Sequence, residues 1–256
     1  MEFAACVVPA TAVRKKPSHK SEMINQLLFG ETMEILKTKK EQWLKVRSTI
    51  DKYEGYVRAN VIEPIEAVEA EDYNAWVAGD LINVLQVGEQ KMNVSVGSSL
   101  LGLLEGEGKI GKMEYHFWES CYRRNDVRPQ PELIEQLTKP WLNSPYLWGG
   151  RTPMGVDCSG FVQIVFKMMG IDLWRDAYLQ AEQGIKINKL EDVQCGDLAF
   201  FTDSKGRIMH VGILLNENEI IHASGKVRID TIDDEGISNT STGNRTHKLK
   251  TIRRYW

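Results

Sequence analysis

The stretch GVDCSGF, residues 155–161, sets an acid, a thiol and a hydroxyl in a row, Asp157, Cys158 and Ser159, between two glycines and ahead of a long apolar run. Its continuation, CSGFVQIVFKMMG (158–170), is apolar on nearly every face and ends in glycine, which reads as a buried helix closed by Gly170. Cys158 then stands at a helix N-terminus, where about half a positive charge and unpaired N–H groups favour an anion. A thiol must become a thiolate to attack a carbonyl, and a reference pKa of ~8.5 leaves little of that form at neutral pH. A lone buried cysteine can equally be a small hydrophobe, so the stretch by itself leaves both readings open.

A base for that thiol has to come from His19, His116, His210, His222 or His247. HVGILL (210–215) and EIIHAS (219–224) are strand-like and joined by a tight polar turn. A three-residue loop of Asn216, Glu217 and Asn218, with Asn218 left-handed, pairs Leu215 with Glu219. His210 then lies opposite Ser224 and His222 opposite Gly212, with both imidazoles on one face as diagonal neighbours about 7 Å apart. A loop one residue shorter or longer puts them on opposite faces. Two histidines near a thiol could also bind zinc, but no fourth ligand is recognisable and no metal is expected. Cys6, Cys121 and Cys195 have neither a helix start nor a placed histidine and read as packing residues.

The rest of the chain supplies context. At 256 residues it is long for one domain, and 42% apolar with 26% charged residues is an ordinary globular composition. A formal net charge of −3 gives no overall attraction to nucleic acid or an anionic membrane, and short basic runs such as RKK (14–16) and KTKK (37–40) read as solvated faces. Scattered free cysteines and the absence of a basic, then apolar, leader in MEFAACVVPA favour the cytoplasm, with a periplasmic or secreted home the alternative if a leader was removed. No window is apolar enough for a membrane span. Residues 1–65 alternate with period two between polar turns and predict a small β-barrel, VIEPIEAVEAEDYN (61–74) predicts a connector, and 66–130 predicts a second, less regular β module. From 131 to 256 the order is helices first, then antiparallel strands, an α+β layout, with PELIEQLTKPWLN giving a short helix that ends near Lys139 because of Pro140.

PYLWGGRTPMGVDCSGFVQIVF, GDLAFF, HVGILL and IIHASG, in that order, resemble the NlpC-type cell-wall cysteine peptidases. The resemblance implies a papain-like domain, with helices packed on an antiparallel sheet, whose Cys, His and third polar residue map onto Cys158, His210 and His222. With one or two SH3-like β-barrels ahead of it, the chain resembles the γ-D-glutamyl-L-diamino acid endopeptidases (dipeptidyl-peptidase VI), which release L-Ala-γ-D-Glu from murein peptides with a free amino terminus. That implies an acid and a tyrosine to read the ammonium, for which Glu22 and Tyr56 are the candidates and Tyr53 the alternative. Tyr146 corresponds to the tyrosine beside the oxyanion, and Trp148 to a groove wall or a buried tryptophan. Asp157 and Ser159 correspond to substrate contacts, although Asp157 could equally cap the helix. WRDAYLQAEQG (174–184) resembles a groove-lining segment in which Arg-Asp-Ser is usual; Ala177 replaces the serine, leaving Arg175 and Asp176. No cofactor is implied, a murein peptide is the expected partner, and a monomer is the expected state. An amidase or acyltransferase on the same fold, or a non-catalytic wall-peptide-binding module, are the competing functions.

Overall fold

The computed structural model describes residues 2–39, 42–70 and 76–256. It forms two compact units, Met1–Val127 with Trp148–Pro153, and Arg128–Leu147 with Met154–Trp256. Lys40 of the basic run and 71–74 of the expected connector lie outside the described residues.

In the first unit the period-two segments form β1 (Glu2–Cys6), β2 (Ala10–Arg14), β3 (Met23–Leu28), β4 (Thr32–Thr38), β5 (Trp43–Ser48), β6 (Glu54–Arg58) and β7 (Ile62–Ile65). They make one antiparallel sheet in the order β3-β2-β6-β5-β4-β1-β7 around Cys6, Val13, Leu27, Met33, Val46 and Val57. After a single helical turn, α1 (Ala67–Ala70), come β8 (Trp76–Ala78), β9 (Ile82–Val87), β10 (Gln90–Ser95), β11 (Ser99–Leu100), β12 (Glu107–Ile110), β13 (Met113–His116) and β14 (Cys121–Arg123). These form two small sheets, β10-β9-β13-β12 and β11-β8-β14.

The two β regions, expected as separate modules, share one core: Ala5, Phe29, Ile65 and Ala70 pack with Leu85, Leu100, Ile110 and Tyr115. Their backbones meet at Gly30, which is left-handed at φ 71°. A Cβ there would fall 1.7 Å from the Ser99 carbonyl oxygen, so only glycine fits. Residues 148–153, expected in the loop of the peptidase domain, also belong to this unit. Their short strand β15 (Arg151–Thr152) is held by a buried ion pair, Arg151 Nη1 to Glu31 Oε2 at 2.6 Å and Nη2 to Oε1 at 2.9 Å.

The second unit begins with α2 (Pro131–Thr138), with Pro131 at its start; a 3₁₀ turn, Lys139–Trp141, takes up Pro140. β16 (Gly155–Val156) leads into α3 (Cys158–Met168), every residue of which is buried. Gly170, at φ 75°, donates to Lys167 O and Ile171 donates to Phe166 O, the bonding pattern of a glycine-terminated helix. A short α4 (Ala177–Gln180) follows.

The chain then runs through β17 (Ile185–Ile187), β18 (Leu198–Thr202), β19 (Ile208–Leu214), β20 (Glu219–Ser224), β21 (Lys226–Asp233), β22 (Gly236–Ser238) and β23 (Arg245–Arg254). Their order is β17-β23-β18-β19-β20-β21-β22, and β22 also pairs with β23, which closes six strands into a small barrel. Ala199, Phe201, Leu214, Ile220, Ile232, Ile237 and Ile252 form one core cluster of the barrel. This is the expected α+β layout. No helix among the described residues is long and apolar enough to cross a membrane.

Candidate active site

Asp157 caps α3: it has extended backbone and its Oδ1 accepts the Gly160 N–H at 2.7 Å, which leaves Cys158 as the first helical residue. The β19–β20 ladder sets the other half. It pairs Ile213 with Ile221 and Leu214 with Ile220, and the Leu215 N–H donates to Glu219 O at 2.9 Å, the register expected from the sequence. The turn achieves it differently. Asn218 is not left-handed; instead Asn216 Oδ1 accepts the Asn218 N–H at 2.8 Å, an Asx turn. Among the described residues the ladder does not continue past Ile213, and the backbone N–H groups of Val211 and Ser159 act to lower the Cys158 thiol against the larger effect of burial. The residue just before Val211 is His210.

His210 and His222 do lie on one face. Gly212 permits it, because a Cβ there would come within 2.9 Å of the His222 Cβ. His210 Nε2 lies 2.8 Å from His222 Nδ1, and His222 Nε2 lies 3.0 Å from Asp230 Oδ2 on β21. Asp230 is 2% exposed and accepts two further bonds, from Arg228 Nε at 2.8 Å and from the Thr240 N–H at 3.0 Å. Burial pushes its carboxyl up, but the bonds from His222, Thr240 and Arg228 outweigh that and hold it well below the usual carboxylate range.

A charged Asp230 fixes the protons along the row. It accepts from His222 Nε2–H, so His222 Nδ1 is a lone pair, so His210 Nε2 carries its proton, so His210 Nδ1 is the free base. Both nitrogens of His222 are spoken for, which argues against the zinc alternative. His247 on β23 stacks on the His210 ring, centroids 4.2 Å apart and 25° from parallel, and Phe201 lies 5.8 Å from it, so the imidazole is gripped as well as bonded.

Burial sets the resting charges. It lowers His210 well below 6.5, aided by the neighbouring His222, His247 and Arg228, and lowers His247 to about 4. It pushes the Cys158 thiol up to about 12, with Asp157 adding to the rise and the N–H bonds and Arg175 opposing it. The helix start does not win against desolvation here. Both shifts favour the uncharged forms of the two side chains.

The remaining expected site residues divide by unit. In the second, Tyr146 is half-buried, its backbone N–H donating to Gly225 O at 3.0 Å. Burial first, then the charges of Cys158 and Asp157, raise its phenol, so it stays a donor beside the thiol. Arg175 is 2% exposed and bonds Asp157 through two nitrogens, 3.0 Å to Oδ1 and 2.5 Å to Oδ2, and Ser159 Oγ at 2.8 Å. Asp157, Ser159 and Arg175 are therefore engaged with one another beneath the nucleophile, and Asp176 opens α4, its carbonyl accepting from Leu179 and Gln180.

In the first unit, exposed Trp148 donates its indole N–H to Glu22 Oε1 at 3.0 Å, and Lys15 lies 3.3 Å from Glu22 Oε2. Tyr56 sits on β6 opposite Lys45, and Tyr53 donates its backbone N–H to Asp51. Sequence reasoning assigns Asp230 and Arg228 no role, and it offers His247 only as one of five histidines, without a place in the site. For Asp230 a signal existed: the tight turn at Gly225 pairs His222 with Arg228, which makes Asp230 a diagonal neighbour of His222.

Proton-accepting imidazole, buried thiol and fixed phenol donor, arranged on a helix start against a barrel, define a papain-like cysteine peptidase. Comparisons with known proteins agree. Residues 143–246 match the NlpC/P60 family and residues 13–62 match the bacterial dipeptidyl-peptidase Sh3 domain. The chain is 39% identical over 151 residues to a probable endopeptidase, an NlpC homolog of Haemophilus influenzae, covering 58% of this chain and 78% of that one. It is 29% identical over 214 residues to the γ-D-glutamyl-L-lysine dipeptidyl-peptidase of Bacillus subtilis, covering 77% and 71% respectively. A solved NlpC/P60 family protein of Bacillus cereus superposes with a TM-score of 0.82 at 21% identity over 99% of both chains. The chain belongs to the NlpC/P60 family.

Proposed function

We propose that the protein hydrolyses the amide between γ-D-Glu and an L-diamino acid in murein peptides that carry a free N-terminal L-Ala. The observation that carries the chemistry is the hydrogen-bonded row His210–His222–Asp230, with bonds of 2.8 Å and 3.0 Å, beside Cys158. The substrate class is supported by the dipeptidyl-peptidase relative together with the matching Sh3 domain. Cys158 Sγ attacks the γ-carbonyl carbon while its proton passes to His210 Nδ1. Tyr146 and backbone N–H groups at the start of α3 hold the oxyanion. The tetrahedral intermediate collapses, the C–N bond breaks, and His210 returns the proton to the leaving amine. Water then attacks the thioester with His210 again as base, freeing L-Ala-γ-D-Glu and the thiol. Free thiols at all four cysteines support a cytoplasmic setting.

The test is L-Ala-γ-D-Glu-L-Lys beside its N-acetylated copy and a lipid ester, with products followed by mass spectrometry. Release of L-Ala-γ-D-Glu from the free peptide alone is expected. Equal cleavage of free and acetylated peptide would overturn the amine-dependent reading, and turnover of the ester alone would favour an acyltransferase.

A further inference from the structure

A cavity of about 860 Å³ lies against the barrel wall of the second unit, beside α4. Ile252 is a member of the barrel core cluster, so strand alternation turns its lining neighbours Thr251 and Arg253 to the other face. Lys186 on β17 is paired directly with Arg253, two cations side by side, an arrangement that opposes folding unless something negative sits between them. Lys250 joins them through a bulge: Phe200 and Phe201 on β18 pair with Thr251 and Leu249, so Lys250 is the extra residue. A matching bulge on β19, where Phe201 and Thr202 pair with His210 and Ile208, makes Met209 the extra residue and puts it on the cavity rim.

The charge there is unbalanced. Arg207 is neutralised by Asp203 through bonds of 3.0 Å and 2.8 Å, but among the described residues Lys186, Lys250 and Arg253 make no ion pair. Among the described residues Glu182 is the only acid lining the cavity. Thr251 Oγ1 and Arg253 Nε are buried without a hydrogen-bond partner among the described residues.

His210 protonates the leaving amine, so the leaving fragment must lie against His210, and Met209 is the adjoining residue. Met209 and Val211 stand two positions apart on the strand, with His210 between them, a span of about 7 Å, and the Val211 N–H acts on the Cys158 thiol. A leaving fragment of two residues extends about the same distance from its new amine to its terminal carboxylate.

We infer that Lys186, Lys250, Arg253 and Thr251 form a subsite for the C-terminal carboxylate of the leaving peptide. The inference rests on the proposed peptidase activity, and the experiment separates the two. The full chain is given L-Ala-γ-D-Glu-L-Lys-D-Ala as free acid and as C-terminal carboxamide. The acid is expected to have a kcat/KM about tenfold higher, through KM, because a charge-assisted contact is lost in the amide. In Lys250→Gln and Lys186→Gln, both surface changes, and in Arg253→Gln, the acid-to-amide ratio should fall toward one. In a second arm, ¹⁵N-labelled Cys158→Ala protein is titrated with L-Lys-D-Ala and with its carboxamide, and the amide signals of Thr251 and Arg253 should move with the acid alone. Equal kcat/KM for acid and amide in the wild type, or no shift with the acid, overturns the subsite. Shifts with the acid but no cleavage of either peptide would leave the subsite standing and sink the peptidase reading instead.

Discussion

Replacing Asp230 with asparagine keeps the shape of the site and removes the charge that decides which nitrogen of His210 is basic. Both carboxylate oxygens accept from donors: Oδ2 from Arg228 Nε at 2.8 Å and His222 Nε2 at 3.0 Å, Oδ1 from the Thr240 N–H at 3.0 Å. An asparagine must place its NH₂ against one of these sets. At the Oδ1 position it faces a backbone N–H that is fixed in the fold. At the Oδ2 position it faces Arg228, whose side chain is 25% exposed and can swing into solvent. The second orientation is therefore favoured, and there the amide donates to His222 Nε2. His222 must then carry its proton on Nδ1 and donate to His210 Nε2, which forces the His210 proton onto Nδ1, where it can no longer accept from the thiol.

If the wrong tautomer is preferred by the worth of one good buried hydrogen bond, about 1.5–3 kcal/mol, the active form falls about 10- to 150-fold in population. A loss of kcat/KM of that size is expected on the free-amine tripeptide, with little change in KM. Two-dimensional ¹H–¹⁵N correlation of the histidine rings supplies the readout that a purely structural role would not move: protonated Nε2 on both rings in the wild type, protonated Nδ1 in the variant. An Asp230→Asn enzyme within about twofold of wild type, with its ring protons where they were, would refute the reasoning.

The remaining predictions concern the same site. Because His210 must be neutral to act and its pKa is lowered well below 6.5, kcat/KM should hold steady as pH falls through 6.5 and drop only well below it. The same shifts act on stability: His210 and His247 bind protons more readily unfolded, so their contribution is complete above 6.5 and lost as pH falls from there toward about 4, which an acid titration by circular dichroism will display. With the Cys158 thiol pushed up to about 12, alkylation by iodoacetamide should climb continuously from pH 6 to 9 rather than level off at low pH as an ion-paired thiolate would. Gly212→Ala puts a methyl 2.7 Å from Ile220 Cδ1 and 2.9 Å from His222 Cβ, and should cut kcat at least tenfold while far-UV circular dichroism stays native. Arg175→Ala removes the cation paired with the 7%-exposed Asp157 side chain and should cost about 3–5 kcal/mol in denaturant unfolding.

What could be read from the chain beforehand follows from the range over which each signal acts. Cys158 at a helix start rests on three neighbouring facts, an acidic cap, an apolar run and a closing glycine, and all survive in the fold. The pairing of His210 with His222 rests on one hairpin, and parity alone carries it even though the turn solves the geometry with an Asx bond rather than a left-handed Asn218. Asp230 needs that parity carried across a second hairpin, through Gly225, and in VRIDTIDD it looks like one surface acid among several. His247 has no local signal, because it reaches His210 only after β22 and β23 close the barrel. The sharing of one core by the two N-terminal β regions was hidden for the same reason: Gly30 against Ser99 is a contact between residues far apart in sequence.

The raised thiol and lowered imidazole bear on how the protein keeps a nucleophile without a permanently reactive thiolate. A resting ion pair would leave Cys158 open to alkylation and oxidation at neutral pH, whereas a neutral couple reacts only when the proton has somewhere productive to go. Asp230 makes that possible without supplying a proton acceptor of its own. It is held ionised by three donors and communicates with the thiol only through the order of protons on two rings, so its charge directs the base while remaining two imidazoles away from the sulfur. The gain appears in the transition state, where the imidazolium formed on His210 meets His222 and, behind it, a fixed negative charge. In the ground state, where His210 is neutral, that charge has little to act on, which is the differential that raises kcat rather than ground-state binding.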